Sequence, residues 1–158
     1  MTPETSRDHV LLLQRTLLRL TGRDLLDGLD RDDPADSVFH APYALLSHDG
    51  AADPVFTYGN AAALAIFERD WDDFTRLPSR LSAEPDDRAE RARLLERVTR
   101  DGYVSDYTGI RVSSSGRRFL ILDATVWNLV EDDGRYVGQA ALIEKIAGIQ
   151  DAGEAGDV

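Results

Sequence analysis

The C-terminal half of the sequence contains three long segments rich in β-branched and aromatic residues, Tyr103–Val112, Arg118–Val130 and Arg135–Ile146. Two turn signals, Ser115-Gly116 and Asp133-Gly134, separate them. Segments of this composition form strands, and a short connection ending in glycine is typical of a hairpin. The pattern therefore predicts an antiparallel meander of three strands, against which the rest of the chain has to pack.

Shorter elements precede the meander. Val10, Leu13, Leu17 and Leu20 recur at helical spacing before Gly22, which predicts an N-terminal helix. Beyond it the sequence predicts two short strands and then three helices, over Tyr43–Ser47, Val55–Tyr58, Ala61–Glu68, Trp71–Arg76 and from Asp87 to Gly102. This order predicts an α+β fold with a five-stranded antiparallel sheet and the small helices on one of its faces.

The predicted strand Arg118–Val130 is apolar on both faces. One alternating set includes Leu122 and Val126, and the other includes Ile121 and Trp127. A sheet with one wet face would alternate between apolar and polar residues, so both faces of this one need cover. We expect the small helices to cover one face and the N-terminal helix to cover the other, either within its own chain or in a homodimer.

Charge and composition exclude several classes of partner. The net charge of −11 argues against a nucleic-acid partner or an anionic membrane surface. The start of the chain lacks the basic region and apolar run of a signal peptide, and no apolar segment is long enough to span a bilayer. We therefore expect a cytoplasmic protein. Lys145 is the only lysine, which fits either salt adaptation or a GC-rich genome.

From about Tyr43 to Ile146 the sequence resembles the MEKHLA domain family, a PAS-related group found in bacteria and at the C-terminus of some plant regulators. The segments LPSRLSAEP (Leu77–Pro85) and TVWNL (Thr125–Leu129) carry the resemblance most specifically. It implies a PAS-like sensory or protein-interaction module that acts through a separate output partner. On this basis residues 1–36 are predicted as a helical extension and linker, 37–146 as the MEKHLA/PAS-like domain and 147–158 as an acidic disordered tail.

The segment between the predicted central helices is the first candidate ligand site. Arg76, Ser79, Arg80 and Ser82 place two guanidinium groups and two hydroxyls in one turn-rich stretch. Guanidinium groups suit carboxylates and phosphates, so these residues could contact a small ligand at the rim of a cavity. The structural alternative is that Arg80 binds backbone carbonyls and Glu84 and so holds the loop together.

The second candidate site lies on the predicted meander and consists of Tyr107, Asn128 and Gln139. Trp127 and Asn128 are neighbours on one strand and must face opposite sides of the sheet. A buried Asn128 amide needs hydrogen-bond partners, which a ligand, a water molecule or Gln139 on the adjacent strand could supply.

Cofactor signals are weak in this sequence. His9, His40 and His48 do not share a helical face with another ligand, so no metal site is predicted. PAS domains that hold haem usually supply a histidine from the central helices, and there is none between Asn60 and Gly102. The chain has no cysteine, which argues against a cysteine-adduct flavin. No cofactor is therefore assigned.

Three functional hypotheses remain open at this level. The first is a sensory or interaction module that binds a small ligand, and no catalytic residue is assigned in it. The second is a small cone-shaped α+β enzyme, an isomerase or dehydratase, that uses a buried aspartate and a tyrosine in an apolar pocket as acid and base, with Asp106 or Asp123 as the aspartate. The third is a structural dimerisation domain with a filled core. A cavity with converging polar groups favours the first, a desolvated aspartate the second and a solid core the third.

Overall fold

The computed structural model describes residues 7–149 of the 158-residue chain. Five α-helices, six strands and two 3₁₀ turns follow one another along these residues. In chain order they are α1 (Arg7–Thr21), α2 (Pro34–Phe39), β1 (Ala44–Asp49), β2 (Phe56–Gly59), α3 (Ala61–Phe67), α4 (Trp71–Phe74), 3₁₀ turns Ser79–Ser82 and Pro85–Asp87, α5 (Arg88–Asp101), β3 (Tyr103–Val112), β4 (Arg118–Val130), β5 (Tyr136–Ile143) and β6 (Lys145–Gly148).

The strands form one antiparallel sheet in the order β2-β1-β5-β4-β3, with β6 also paired to β4. The predicted α+β class and its antiparallel sheet are confirmed. The predicted last strand is divided in two, because β5 pairs with Thr125–Val130 of β4 and β6 pairs with Phe119–Leu122. The sheet therefore has six strands instead of five. Ala147 and Gly148, assigned from the sequence to the tail, lie in β6, and residues 150–158 of that predicted tail lie outside the described part of the chain.

Helices α3, α4 and α5 pack on the inner face of the sheet. Phe67 and Phe74 of the small helices are almost fully buried, with ring centroids 5.7 Å apart, and Phe74 stacks on Phe56 of β2. Leu94 and Val98 of α5 belong to the same apolar cluster. This inner layer is the one that contains the candidate site.

Helix α1 covers the outer face of the sheet within its own chain. Leu13 and Leu17 are fully buried in a cluster with Leu45, Trp127 and Leu142 of the sheet. Burying a leucine side chain contributes roughly 1.5–3 kcal/mol before ordering costs, so the leucines of α1 supply a large share of the outer core. The predicted cover of the outer face by the N-terminal helix is confirmed, and it is intramolecular.

A bulge in β4 changes which residues face inward. Tyr107 pairs with Ala124 and Gly109 with Ile121, so β4 has one residue more than β3 between these two pairs. The extra residue is accommodated where Asp123 has a φ of 52°, in the left-handed region. Phe119 and Ile121 therefore belong to the inner cluster, although simple alternation from the sequence groups them with Trp127 and Leu129, which belong to the outer one.

Asn60 links the two layers at the start of α3. Its side-chain oxygen accepts hydrogen bonds from the backbone N–H groups of Ala63 (3.1 Å) and Leu45 (2.9 Å), and its amide nitrogen donates to the carbonyls of Val38 (3.0 Å) and Tyr43 (2.9 Å). A fully buried asparagine is stable here because every polar atom of its side chain is paired.

Helix α2 spans the boundary drawn from the sequence between residues 36 and 37. Asp33 caps it by accepting from the Asp36 N–H, and Pro34 occupies its first turn. Among residues 7–149, no helix combines the length and the apolar character needed to cross a membrane.

Candidate functional site

A cavity of about 60 Å³ lies between the inner face of the sheet and helix α5. Apolar side chains from β1, β2, α3, α5 and β4 form most of its wall. The apolar residues include Leu46, Phe56, Phe67, Leu94, Ile121 and Val126, and the polar ones include His48, Ser82, Arg91, Tyr107, Arg111 and Gln139. The inner core is thus hollow at its centre, and several polar groups converge there.

Arg91 reaches this cavity from the inward face of α5. It shares the helical stripe with Leu94 and Val98 and is only 7% exposed. Its Nη2 donates a short hydrogen bond to the Ser79 hydroxyl. Burial, and secondly repulsion from the Arg111 guanidinium, lower the pKa of Arg91 to about 10, so the side chain remains charged at neutral pH.

Arg111 enters the same cavity from β3 and is 6% exposed. Its guanidinium lies 5.3 Å from the centre of the Tyr107 ring, and Nη1 donates to the Ile110 carbonyl over 2.8 Å. Tyr107 in turn donates its hydroxyl to Glu90 over 3.3 Å, and burial raises the pKa of Tyr107. Two positive groups therefore meet in a mostly apolar chamber.

His48 and Gln139 line the cavity where β1 and β5 adjoin. The Nδ1 atom of His48 lies 2.8 Å from the Asp49 carbonyl, so this nitrogen carries the proton and Nε2 is left as an acceptor. Nε2 is buried and has no hydrogen-bond partner within residues 7–149. Burial lowers the pKa of His48, which keeps the ring neutral, and the charge of Arg91 acts in the same direction.

Gln139 and Asn128 join the sheet to α5. Gln139 donates to Asn128 Oδ1 (3.0 Å), to the Leu95 carbonyl (3.2 Å) and to the Thr99 hydroxyl (3.1 Å). Asn128 donates to the Val98 carbonyl over 3.0 Å. The buried Gln139 amide and the half-buried Asn128 amide therefore find hydrogen-bond partners within the protein, as the structural alternative for Asn128 proposed.

An open groove of about 620 Å³ adjoins the cavity on the side of α5. His48, Arg91, Leu95 and Gln139 line both spaces and form the partition between them. The groove also contains Arg80, Arg88 and Arg100 among its lining residues. The cavity and the groove are therefore neighbours that share these four side chains.

The residues predicted as ligand contacts separate into three groups. Ser82, Tyr107 and Gln139 line the cavity, and Ser79 holds Arg91 beside it. Arg80 lines the outer groove and pairs with Asp53 over 3.1 Å, not with Glu84 as the structural alternative had it, because Glu84 pairs with Arg118. Arg76 is exposed after α4 and lines neither space, and Asn128 lies behind Gln139.

Sequence reasoning missed Arg91, Arg111 and His48. A signal existed for the first two. Arg91 occupies a position of the apolar stripe of α5. Arg111 follows Tyr107 and Gly109 at every second position of β3, so it lies on the same face of the strand as these two residues. A charged residue in a core-facing position is a functional candidate, whereas His48 could be placed only from its three-dimensional neighbours.

The acid and base candidates of the enzyme hypothesis lie elsewhere. Asp106 and Asp123 are both exposed, and neither lines the cavity. Within residues 7–149, no group of three or more histidine, aspartate and glutamate side chains is arranged to hold a metal ion.

The fold and its internal cavity define a PAS/LOV-like domain. The structure resembles a PAS domain from Colwellia psychrerythraea with a TM-score of 0.62, 12% identity and coverage of 75% of this chain and 95% of that one. It also resembles a light-oxygen-voltage domain studied with a flavin analogue (TM-score 0.58, 10% identity, 78% and 89% covered). The light-state dimer of the fungal blue-light photoreceptor Vivid is similar too (TM-score 0.54, 15% identity, 66% and 78% covered).

Within this class, the model of the MEKHLA domain matches residues 7–147, and the chain belongs to that family. The match confirms the resemblance inferred from the sequence. It includes α1, which the sequence analysis had placed in an extension outside the domain. None of the curated proteins compared with the sequence matches it.

The flavin of the light-oxygen-voltage neighbour provides a test of cofactor fit. Pockets for drug-sized and cofactor-sized molecules enclose roughly 300–1,000 Å³, and the cavity here has about 60 Å³. Buried side chains such as Phe67, Leu94 and Tyr107 fill the core around it. The residues present do not fit a flavin.

Proposed function

We propose that this protein is a sensory module that binds a small ligand in the internal cavity and signals through a separate partner protein in the cytoplasm. The observation that carries the proposal is the cavity in the inner core, which is lined by Arg91, Arg111 and His48, whose buried Nε2 has no hydrogen-bond partner within residues 7–149. A domain with a purely structural role would gain stability from filling this space and from removing its buried charges.

Helix α5 is the element that would transmit the signal. It covers the cavity and is held to the sheet by the bonds from Gln139 and Asn128 to its last two turns. A ligand that contacts Arg91 changes the position of α5 relative to β5, and the exposed side of α5 offers that change to a partner. The proposed role is non-catalytic, which the exposure of Asp106 and Asp123 outside the cavity supports.

We further propose that the signalling form is a homodimer. The outer sheet face is occupied by α1 of the same chain, so a second copy would contact the exposed side of α1 instead. Leu18 on that side is 42% exposed. Light scattering coupled to gel filtration should give twice the monomer mass for the wild type and the monomer mass for Leu18→Asp. A wild-type monomer at high protein concentration would exclude this arrangement.

Native mass spectrometry of gently purified protein tests the ligand proposal. We expect a small adduct on the wild-type protein. Ala124 is buried and lines the cavity, so Ala124→Leu should fill the space and abolish the adduct, whereas Ala147→Leu, on the exposed β6, should retain it. A bare wild-type mass, or an adduct that persists in Ala124→Leu, would contradict ligand binding in this cavity.

A further inference from the structure

The two arginines of the cavity lack carboxylate partners. Neither Arg91 nor Arg111 forms an ion pair within residues 7–149, although both are more than nine-tenths buried. Asp53, whose charge acts on Arg91, pairs with Arg80, and Glu90 accepts a hydrogen bond from Tyr107. Within residues 7–149, nine of the other fifteen arginines pair with aspartate or glutamate.

Two buried guanidinium groups without a carboxylate partner are costly. Burying one unpaired charge costs several kcal/mol, and here two charges of the same sign also repel each other. A protein with 29 acidic residues could easily have placed one of them beside this pair. Burial of two guanidinium groups without a counter-charge is instead typical of a site whose anion comes from a ligand.

The cavity also limits the size and polarity of that ligand. About 60 Å³ gives room for roughly four to six groups of the size of a water molecule. Most of the wall is apolar, with Phe56, Leu94 and Ile121 among its residues, which favours a molecule with a hydrocarbon part over a fully charged inorganic ion. A carboxylate on a two- or three-carbon chain satisfies both limits.

His48 adds a second polar requirement. Its Nε2 accepts hydrogen bonds, is buried and is unpaired in the described residues, and its ring lies near enough to Arg91 to feel that charge. A lone pair in this position would repel a carboxylate oxygen and would be satisfied by a hydroxyl group of the ligand. A carboxylate and a hydroxyl on neighbouring carbons would meet the arginines and the histidine together.

We propose that the cavity binds a short 2-hydroxycarboxylate, with its carboxylate between Arg91 and Arg111 and its hydroxyl donated to His48 Nε2. This inference rests on the proposed function, because it assigns a ligand class to the same cavity. Arg111, which contacts the Tyr107 ring, and Arg91, which is held by Ser79, are positioned before the ligand arrives, so little ordering is required on binding.

Isothermal titration calorimetry of the full chain with matched probes tests the ligand class. We use lactate, propionate, which lacks the hydroxyl, lactamide, which lacks the charge, and inorganic phosphate. Lactate should bind at least tenfold more tightly than lactamide. It should bind at least about fivefold more tightly than propionate, because the hydrogen bond of its hydroxyl to a buried group contributes roughly 1 kcal/mol. Equal binding of lactate and lactamide, or of lactate and propionate, would overturn the proposal, as would a preference for phosphate.

Variants test the location of binding. Arg111→Gln should reduce the affinity for lactate at least tenfold. Arg111→Lys keeps the positive charge but not the planar guanidinium with its two parallel donors, and should reduce the affinity less. Arg23→Gln is the control, because Arg23 is exposed and pairs with Glu144 on the surface. Unaltered lactate binding in Arg111→Lys and in Arg111→Gln, with circular dichroism used to verify folding, would contradict the site.

Failure of this inference and failure of the proposed function give different results. If native mass spectrometry shows a cavity adduct that is neutral or lacks a hydroxyl, the sensory role stands and the 2-hydroxycarboxylate is excluded. If lactate, propionate, lactamide and phosphate all fail to bind and the native mass is bare, both are excluded.

Discussion

Trp127 of β4 donates its indole N–H to the hydroxyl of Thr16 in α1 over 2.9 Å, and both side chains are buried. Thr16 in turn donates a hydrogen bond from its hydroxyl to the Leu12 carbonyl over 2.7 Å. This pair joins the N-terminal helix to the outer face of the sheet at a single defined register. The polar edge of the tryptophan is thereby satisfied inside an otherwise apolar layer.

Replacing Thr16 by valine tests this link. The variant keeps the side-chain shape but leaves the buried indole N–H of Trp127 without a partner, which costs about 1–3 kcal/mol. Urea unfolding followed by tryptophan fluorescence measures the loss. Thr16→Ser keeps the hydroxyl and Thr21→Val removes one that bonds only near the end of α1, so both should lose less than Thr16→Val. Equal stabilities for Thr16→Val and the wild type would refute the role of the bond.

His9 makes the stability of the outer layer dependent on pH. Its Nε2 lies 2.8 Å from the Ser47 hydroxyl, and burial lowers the pKa of His9 to about 4 from 6.5. Above pH 6.5 the ring is neutral in both the folded and unfolded states. As the pH falls from 6.5 towards 4, only the unfolded chain takes up the proton, so up to about 3 kcal/mol of unfolding free energy is lost.

The measurement compares unfolding free energies at pH 7.5 and pH 5. His9→Gln should reduce the difference between the two values, because it removes one proton uptake on unfolding. His40→Gln is the control, since His40 is exposed beside Asp36. A pH difference that is the same in His9→Gln and the wild type would show that His9 does not titrate in this way.

Gln139 should control the mobility of α5. Gln139→Leu removes the bonds to Leu95, Thr99 and Asn128 and leaves the Asn128 carbonyl oxygen without its donor, at a cost of about 1–3 kcal/mol. Hydrogen exchange of the α5 amides should become faster while the amides of α1 remain unchanged. Gln14→Leu, which removes a bond from α1 to Asp24, is the matched control. Unaltered exchange in α5 would contradict the proposed link between sheet and helix.

Gly138 permits the close approach of β5 to β1. A Cβ atom at this position would lie 2.1 Å from the His48 carbonyl oxygen, and the φ of 150° disfavours other residues. Gly138→Ala should cost about 3 kcal/mol or more, because backbone atoms would have to separate. Gly134 has a φ of 88°, but an added Cβ atom would meet open space there. Gly134→Ala should therefore lower the unfolding free energy by only about 1 kcal/mol. Thermal unfolding compares the two, and similar losses would show that the clash is relieved cheaply.

Much of the fold could be predicted from local pattern. The bounds predicted for β3 and β4 agree with the structure, because β-branched and aromatic residues fill these strands and Gly102, Gly116 and Gly134 adopt positive φ near their ends. The N-terminal helix was predicted for the same kind of reason. The prediction of a single last strand was wrong, because Glu144 separates β5 from β6.

The sequence by itself determined the order of the elements, the family and the need for cover on both sheet faces, because these depend on the spacing of apolar residues along the chain. Only the tertiary structure decided which side chains line the cavity. The bulge at Asp123 reverses the inward and outward alternation of side chains along β4. Arg91 and Arg111 line the same cavity only because α5 packs against β3. The grouping of these side chains depends on contacts between segments that are distant in the sequence, and a local sequence pattern does not predict such contacts.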